Sequence, residues 1–317
     1  MKKFLYKILF FAALLAVVCY LYAFLGDGYS DEYYLRVTTP KQSAMIIGIS
    51  RAAQGLQPAA MDGVLNNAYP GKQLYNFAFS LGLSAYGPVY YKAIQQKLDE
   101  HTNNSVFVLE VSPWSIAAAP ADPNNLSLFE ENNRALDQLH FFNLNPNIEY
   151  LFKCYADPYV NLLLNKMNDS PFYLLHDDGW LEIKAPMDSA SVKRRKEGMI
   201  FLYKNDFFPR YKFSSKRLEY LEATIALLKQ HGDVYLVRLP IIPEVINIEK
   251  ELMPEFDKTI TVVAEKYHLD YFNFIDSSTL FSYMDGVHLD KYSGKRVSKD
   301  IGNLITKNKM ASLNKVQ

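Results

Sequence analysis

The sequence predicts an α/β fold in which a mostly parallel sheet of five strands is covered by helices on both faces. Short apolar runs alternate along the chain with segments whose apolar residues recur at helical spacing. Runs that are apolar throughout indicate strands buried on both faces, as in parallel sheets. The chain has 317 residues, of which 49% are hydrophobic and 21% charged, and this composition excludes a disordered protein.

An uncharged, mostly apolar run at the N-terminus, Ile8–Leu25, follows Lys2, Lys3 and Lys7. The run is long enough for a short membrane-spanning helix. Basic residues before it and acidic residues after it predict a cytoplasmic N-terminus and a main domain outside, in the periplasm or at the cell surface. We therefore expect residues 1–25 to form the cytoplasmic N-terminus and a transmembrane anchor.

Three other interpretations of this run stay open. A cleaved secretory signal needs a shorter apolar core and a small-x-small cleavage site, but Tyr20, Tyr22 and Phe24 occupy the region of cleavage. A lipoprotein signal needs a small residue before Cys19, where Val18 stands. The third interpretation is a buried core helix. The length of the run favours the uncleaved anchor.

After the anchor, the sequence predicts a polar stalk over residues 26–42 and the α/β domain over residues 43–317. The predicted strands are Ala44–Ile49, Gln73–Phe79, Val106–Val111, Val234–Leu239 and Tyr271–Phe274. The predicted helices are Pro88–Glu100, Ser215–Gln230, Pro254–Tyr267 and Lys291–Thr306. Their alternation is typical of parallel sheets with helices on both faces.

A long segment, at about residues 113–213, interrupts this alternation between the third and fourth strands. A structureless loop of that length is uncommon in a compact domain. We therefore predict an insertion with its own short helices, over Asn132–Leu139 and Asn147–Asn165. Its basic run Lys193–Lys196 indicates either a solvated helix face or a contact with an anionic lipid or polymer.

The first candidate site residue is Ser50, in the sequence Gly48-Ile-Ser-Arg51. A buried strand ends here and a helical turn follows, so the hydroxyl lies at the carboxyl edge of the sheet, where ligands bind in open α/β folds. The N–H of Ser50 then lies at a helix N-terminus and faces developing negative charge. The alternative is that Ser50 only caps the helix.

The second candidate feature is Asp285-Gly-Val-His288, just before the last helix. An aspartate three residues before a histidine can accept a hydrogen bond from the imidazole and fix its tautomer. The other ring nitrogen is then free to take a proton from a serine. The alternative is an ordinary hydrogen-bonded histidine.

The loops after the second and third strands supply further candidates for the same pocket. Gly82, with Leu81 as its neighbour, can direct a backbone N–H toward Ser50, and Ser112 can add a hydroxyl donor. Arg51 can hold an acidic group of a substrate, or it can brace the loop through backbone carbonyls. Each of these residues is also compatible with ordinary loop chemistry.

Together, the serine that ends the first strand and the Asp-x-x-His before the last helix resemble the SGNH (GDSL-like) hydrolase superfamily, over roughly Ala44–Ile305. The resemblance implies a flavodoxin-like three-layer sandwich. It also implies Ser50 as the nucleophile, with His288 and Asp285 as its catalytic partners. Gly-x-Ser-Arg after an N-terminal anchor looks like the exported members that act in the acylation of cell-envelope polymers.

The sequence departs from the family pattern at the oxyanion hole. The family uses the serine N–H, a glycine N–H after the second strand and an asparagine side chain after the third. Here the glycine is offset, at Gly82, and Glu110-Val-Ser112 lacks the asparagine. Two hypotheses follow: a serine ester hydrolase or O-acyltransferase outside the cytoplasm, and a membrane-tethered scaffold or binding protein with weak or no catalysis.

The expected partners are an acylated small molecule or polysaccharide, the membrane, and envelope proteins. A serine mechanism implies no cofactor and no metal. The 34 basic and 34 acidic residues cancel, which argues against a nucleic-acid ligand. The two cysteines are Cys19 and Cys154; Cys19 lies in the apolar run, so we expect no disulfide within the domain.

Overall fold

The centre of the computed structural model, which describes residues 1–168 and 171–314, is a five-stranded sheet. Its strands are β1 (Ala44–Ile47), β2 (Leu74–Asn76), β3 (Ser105–Glu110), β4 (Gly232–Arg238) and β5 (Asp270–Asn273). Their order is β2-β1-β3-β4-β5, and every neighbouring pair is parallel. The predicted α/β fold is confirmed.

Successive residues of each buried strand pack on opposite faces of the sheet, because side chains alternate along a strand. In β1, Met45 and Ile47 join the core under helices Pro88–Lys97, Ser215–Leu228 and Phe256–Tyr267. Ala44 and Ile46 join the core under helices Pro58–Leu65 and Lys291–Asn314. The domain is thus a three-layer sandwich, and both faces of the sheet are apolar because both are covered.

The remaining helices are shorter or lie outside the two layers. They are the α-helices Lys2–Ala23, Tyr34–Thr38, Ser50–Gly55, Leu81–Ser84, Ala135–Gln138, Ile148–Lys153, Asn161–Leu164, Ser189–Leu202, Phe208–Arg210 and Pro243–Leu252, the 3₁₀ turns Pro113–Ile116, Leu126–Leu128, Asn165–Met167 and Ile275–Leu280, and the π turn Tyr203–Phe207. Helices Ser189–Leu202 and Pro243–Leu252 were not predicted from the sequence.

The chain between β3 and β4 folds into short helices and two small antiparallel pairs. Ala117–Ala118 pairs with Lys212–Phe213, and Tyr173–Leu175 pairs with Leu181–Ile183. The helix predicted over 147–165 is divided: one helix ends at Lys153 and the next begins at Asn161. Pro158 lies in the non-helical segment between them. The basic run lies on helix Ser189–Leu202, where two of its lysines form surface ion pairs with glutamates.

The N-terminal helix, Lys2–Ala23, has 22 residues and is long and apolar enough to cross a membrane. The apolar window of this helix is exposed throughout. A core helix of a soluble protein would be mostly buried, so the structure does not favour that interpretation. A membrane anchor and a signal sequence both fit the length and composition of the helix.

Residues 26–42, predicted as a stalk, are packed into the domain instead, and we call them the connector. Tyr34 and Arg36 are both 0% exposed. The Arg36 guanidinium donates hydrogen bonds to the backbone carbonyls of Asn76 (3.2 Å) and Gly179 (2.8 Å). These acceptors compensate the burial of the charge, which is why a segment of polar appearance lies inside the fold.

Candidate active site

The turn that carries Ser50 follows β1 at the carboxyl edge of the sheet. Ser50 is the first residue of helix Ser50–Gly55, so its N–H has no acceptor within the helix. Gly48 is needed because the turn is crowded: a Cβ on Gly48 would lie 2.7 Å from Cβ of Glu110 and 2.9 Å from Cβ of Ala52. The local sequence thus turns the chain sharply and leaves the serine at the edge.

Ser50, His288 and Asp285 form a continuous chain of hydrogen bonds. Ser50 Oγ lies 2.9 Å from His288 Nε2, and His288 Nδ1 lies 2.7 Å from Asp285 Oδ2. With Nδ1 donating to the carboxylate, Nε2 has its lone pair toward the serine hydroxyl and can accept its proton. The structure therefore brings together three side chains that stand at opposite ends of the domain sequence.

Asp285 is held in its ionised form. Burial by itself raises the pKa of Asp285, but the His288 ring opposes this, as do the N–H groups of His288 (2.8 Å) and Val287 (2.9 Å), and the pKa falls to about 2. The carboxylate is therefore charged at neutral pH and able to stabilise an imidazolium on His288.

The loop that carries the Asp–His pair is fixed by neighbouring elements. The N–H of Met284 donates to the carbonyl of His288 (2.9 Å), and Arg195 Nε donates to the carbonyl of Met284 (3.0 Å). Gly286 has a φ of +89° and accepts a hydrogen bond from the N–H of Ile242 (3.0 Å). The left-handed backbone conformation requires glycine at this position. A Cβ would also lie 2.5 Å from Ile242 Cδ1, so the Ile242 side chain would have to move.

Arg51 braces the Ser50 turn, which is one of its two predicted roles, but it does so through a carboxylate and not through backbone carbonyls. The side chain is buried, and Nη2 lies 2.7 Å from Glu249 Oε1. Glu249 is also buried, and its other oxygen accepts from Arg238 Nη2 at 2.8 Å. Because Arg51 is turned into the protein and paired with a carboxylate, it positions the turn after Ser50 and is not exposed to a substrate.

Gly82 and Ser112 are the two remaining predicted residues. Gly82 lies in helix Leu81–Ser84, and the nearest atom to a Cβ built there is Arg134 Nη1, at 2.8 Å. The N–H of Phe79 donates to the carbonyl of Gly48 (3.4 Å). The chain after β2 therefore lies beside the Ser50 turn. An oxyanion role for Gly82 stays a prediction.

Ser112 is buried, and its backbone takes part in a tight turn. Its N–H donates to Ser115 Oγ (3.0 Å), and its carbonyl accepts from the same hydroxyl (2.8 Å). Its own hydroxyl is close enough to the Glu110 carboxyl group to oppose the rise that burial causes in the pKa of that group. The hydroxyl has no hydrogen-bond partner within the described part of the chain, and an oxyanion role for Ser112 stays a prediction.

Glu110 was not among the predicted site residues, although it supports the turn that carries Ser50. The residue ends β3, is 0% exposed, and its Oε2 accepts the N–H of Ile49 at 3.1 Å. Burial raises the pKa of Glu110, although Arg51 opposes this. A glutamate at the end of an otherwise apolar strand was the available signal, since a buried carboxyl group needs a partner.

Comparisons with known proteins add little to this geometry. No protein-family model and no curated protein matches this chain. Among solved structures, the chain is similar to the inhibitor-bound form of an aryl esterase from M. smegmatis, at 9% sequence identity and a TM-score of 0.35. The match covers 84% of this chain and 98% of the esterase. At this level of similarity, the function of the site has to be argued from the site itself.

Proposed function

We propose that the chain is a serine acyl-ester enzyme, a hydrolase or O-acyltransferase, that acts outside the cytoplasm on an acylated carbohydrate or polymer of the cell envelope. The observation that carries this proposal is the hydrogen-bonded chain from Ser50 through His288 to Asp285. Its order and orientation are those of a Ser-His-Asp triad, which activates a serine hydroxyl for attack on an acyl carbon.

In the first half of the reaction, Ser50 Oγ attacks the ester carbonyl carbon as His288 Nε2 takes the hydroxyl proton. The oxyanion that forms accepts hydrogen bonds from the N–H of Ser50 and from the loop after β2, for which Gly82 is our candidate. The tetrahedral intermediate then breaks the bond to the alcohol oxygen, which receives the proton from His288. The acyl group remains on Ser50.

In the second half, water or a sugar hydroxyl attacks the acyl-serine and gives its proton to His288. The proton returns to Ser50 Oγ as the acyl group leaves, so the enzyme is regenerated. Attack by water gives a free acid and attack by a sugar gives a new ester. Asp285 remains ionised throughout and stabilises the imidazolium that His288 becomes in each half.

The proposed location follows from the N-terminal helix and the lysines before it. An uncleaved helix with Lys2, Lys3 and Lys7 on the cytoplasmic side places the domain on the other side of the membrane. Acylated polysaccharides are ester substrates available there. The resemblance to exported proteins of envelope acylation supports the same substrate class.

A second candidate function is a membrane-tethered scaffold with weak or no catalysis. It is favoured by the end of β3, where the resemblance implies an asparagine and the structure has the buried Ser112. Removal of one oxyanion donor lowers kcat by about 10²–10³ in known serine enzymes. A scaffold would therefore keep the triad geometry and turn over esters slowly or not at all.

The test uses the full chain in detergent micelles, with p-nitrophenyl acetate as substrate and a fluorophosphonate as an active-site probe. We expect the wild-type chain to be labelled at Ser50, and the Ser50→Ala variant to lose both labelling and ester hydrolysis. Ser312→Ala, on the exposed part of the last helix, is the matched control and should retain both.

Unchanged hydrolysis by Ser50→Ala would contradict the proposed nucleophile. A folded wild-type chain that neither reacts with the probe nor hydrolyses the ester would support the scaffold. Hydrolysis and transfer are separated by adding an oligosaccharide acceptor and measuring the acetylated sugar and free acetate by mass spectrometry.

A further inference from the structure

The insertion exposes a cluster of large apolar side chains at its surface. It consists of one residue of helix Ile148–Lys153 and five residues between 159 and 167: Phe152, Tyr159, Val160, Leu163, Leu164 and Met167. Phe152 is 75% exposed and Met167 is 72% exposed. Soluble domains seldom expose neighbouring large apolar side chains in this way unless the patch contacts a partner or a membrane.

This surface adjoins the N-terminal helix. Tyr22, near the end of the helix, donates a hydrogen bond from its hydroxyl to the carbonyl of Tyr159 (3.0 Å). An apolar cavity lies between the two elements and is lined from the helix by Val18, Cys19 and Tyr22, and from the insertion by Phe152 and Tyr159 among others. The surface is therefore continuous with the side of the helix.

The position along the helix sets the depth of the surface. Val18 and Cys19 lie inside the apolar run that ends at Leu25, about 10 Å before its end at 1.5 Å per residue. The insertion thus reaches back beside the last two turns of the predicted span. If the helix crosses a bilayer, Phe152 and Tyr159 lie at the level of the headgroups and the upper acyl chains, and the other side chains of the surface extend from there.

The chemistry of the surface fits that depth. Tyrosine and phenylalanine side chains of the helix and the insertion meet at this level, as in the aromatic belts of membrane proteins. Residues 159–168 contain a single charged side chain, Lys166. Lys166 Nζ pairs with Asp27 Oδ2 (2.9 Å), just beyond the apolar run, where the charged groups reach water.

We propose that this surface of the insertion lies in the extracytoplasmic leaflet of the membrane and holds the domain against the bilayer. The inference rests on the uncleaved anchor of the proposed function, because the helix fixes which surface faces the lipid. A lipid partner is favoured over a protein partner by the continuity of the surface with the membrane-spanning helix.

The test measures the depth of labelled cysteines in the full chain, reconstituted at one copy per phosphatidylcholine nanodisc. Cys19→Ser and Cys154→Ser provide the background, and bimane is attached at Leu164→Cys or Met167→Cys. Val262→Cys is the matched control, since Val262 is 56% exposed on helix Phe256–Tyr267, beside β5 at the far edge of the sheet. Leu14→Cys reports on insertion of the helix.

With nitroxide-labelled lipids in the disc, we expect a loss of about half of the fluorescence at positions 164 and 167 and none at 262. Quenching at position 14 without quenching at 164 and 167 would overturn the inference and leave the anchor intact. Absence of quenching at position 14 would instead contradict the anchor. Protection of 164 and 167 from aqueous iodide without lipid quenching would indicate that these side chains pack against the chain itself, and it would also overturn the inference.

Discussion

The carboxyl edge of the sheet, which carries the candidate triad and which we call the catalytic edge, and the connector both contain buried cations. The burial of these charges is compensated in different ways in the two regions. At the catalytic edge, Arg51 and Arg238 are both paired with the carboxylate of Glu249, at 2.7 and 2.8 Å. At the connector, Arg36 and Lys97 are equally buried. Within residues 1–168 and 171–314, neither of these two forms an ion pair with a carboxylate at 4.0 Å or less.

The connector cations donate to backbone carbonyls. Lys97 Nζ donates to the carbonyl of Thr39 (2.6 Å), to its hydroxyl (2.8 Å) and to the carbonyl of Phe142 (2.8 Å). Neutral acceptors compensate desolvation less well than a carboxylate, and burial lowers the pKa of Lys97 to about 7. The comparison indicates that a buried arginine paired with a carboxylate keeps its charge at neutral pH, because the pairing raises its pKa. Lys97, which is bonded to neutral oxygens, has a pKa of about 7, so the stability that it contributes depends on pH.

The largest effect is expected from Asp285→Asn, which removes the charge of the carboxylate that orients His288. In known serine triads the corresponding change lowers kcat by about 10⁴, because the imidazole is held in the wrong tautomer. We expect a loss of that order in hydrolysis of p-nitrophenyl acetate. Asp276→Asn, an exposed aspartate, is the control, and equal losses in both variants would contradict the role of Asp285.

The same variant also sharpens the pH comparison. The pKa of Asp285 is lowered from 3.8 to about 2 in the folded chain. Its stabilisation, about 2 kcal/mol, is therefore complete above pH 4 and is lost as the pH falls toward 2. The stability difference between wild type and Asp285→Asn should therefore shrink as the pH is lowered from 4 to 2 in urea unfolding, and a difference that stays constant over that range would contradict this account.

The next largest effect is expected from Glu249→Ala, which leaves Arg51 and Arg238 buried without their shared partner. Breaking a buried pair costs about 3–5 kcal/mol, measured as the free energy of unfolding in urea. Glu244→Ala on the same helix is the matched control, because Glu244 pairs with Lys196 at the surface (2.7 Å) and its loss should cost less than about 1 kcal/mol. Equal losses in the two variants would show that the buried ion pairs of Glu249 stabilise the fold no more than the surface ion pair of Glu244.

A smaller and pH-dependent effect is expected at Lys97. Above pH 7 the folded chain releases the Lys97 proton, whereas the unfolded chain keeps it up to about pH 10.5. The unfolded state then binds more protons, so stability should rise by about 2 kcal/mol between pH 7 and 9. In Lys97→Met this rise should disappear, and in Lys92→Met, an exposed lysine on the same helix, it should persist.

The smallest effect is expected from Arg195→Met, which removes a cation held by a carbonyl at the catalytic edge. Arg195 links helix Ser189–Leu202 to the carbonyl of Met284 beside the Asp–His pair. Loss of one such hydrogen bond costs about 1 kcal/mol of stability, so we expect the free energy of unfolding to fall by about that amount and kcat to fall by no more than about fivefold. Arg194→Met, with an exposed arginine one residue earlier, should retain full activity.

The strands were predictable because their information is local. β1 is apolar throughout, and β3 is apolar between Ser105 and Glu110, since both faces of the sheet are covered. The positions of both strands agree with the predicted runs to within two residues. Helix Pro243–Leu252 was missed because Pro240 indicates the end of a strand and no helix was predicted after it. Pro243 was the available signal, since proline is favoured in the first turn of a helix.

The site was predictable for the same reason, up to a limit. The Asp285–His288 contact is formed within one turn, and the Ser50 position follows from the strand that precedes it. The partner of Arg51 could not be predicted, because Glu249 lies on a distant helix and nothing next to either residue indicates the other. The packing of Arg36 could not be predicted either, because its acceptors are backbone carbonyls, which every residue has.

Helix Pro243–Leu252 is linked to both parts of the candidate triad. Glu249 on this helix pairs with Arg51, the residue after Ser50, and the N–H of Ile242, which precedes the helix, donates to the carbonyl of Gly286 in the histidine loop. Ser50 and His288, which lie far apart in the sequence, are therefore braced by the same element. We expect a substitution that displaces this helix to shift both ends of the hydrogen bond between them.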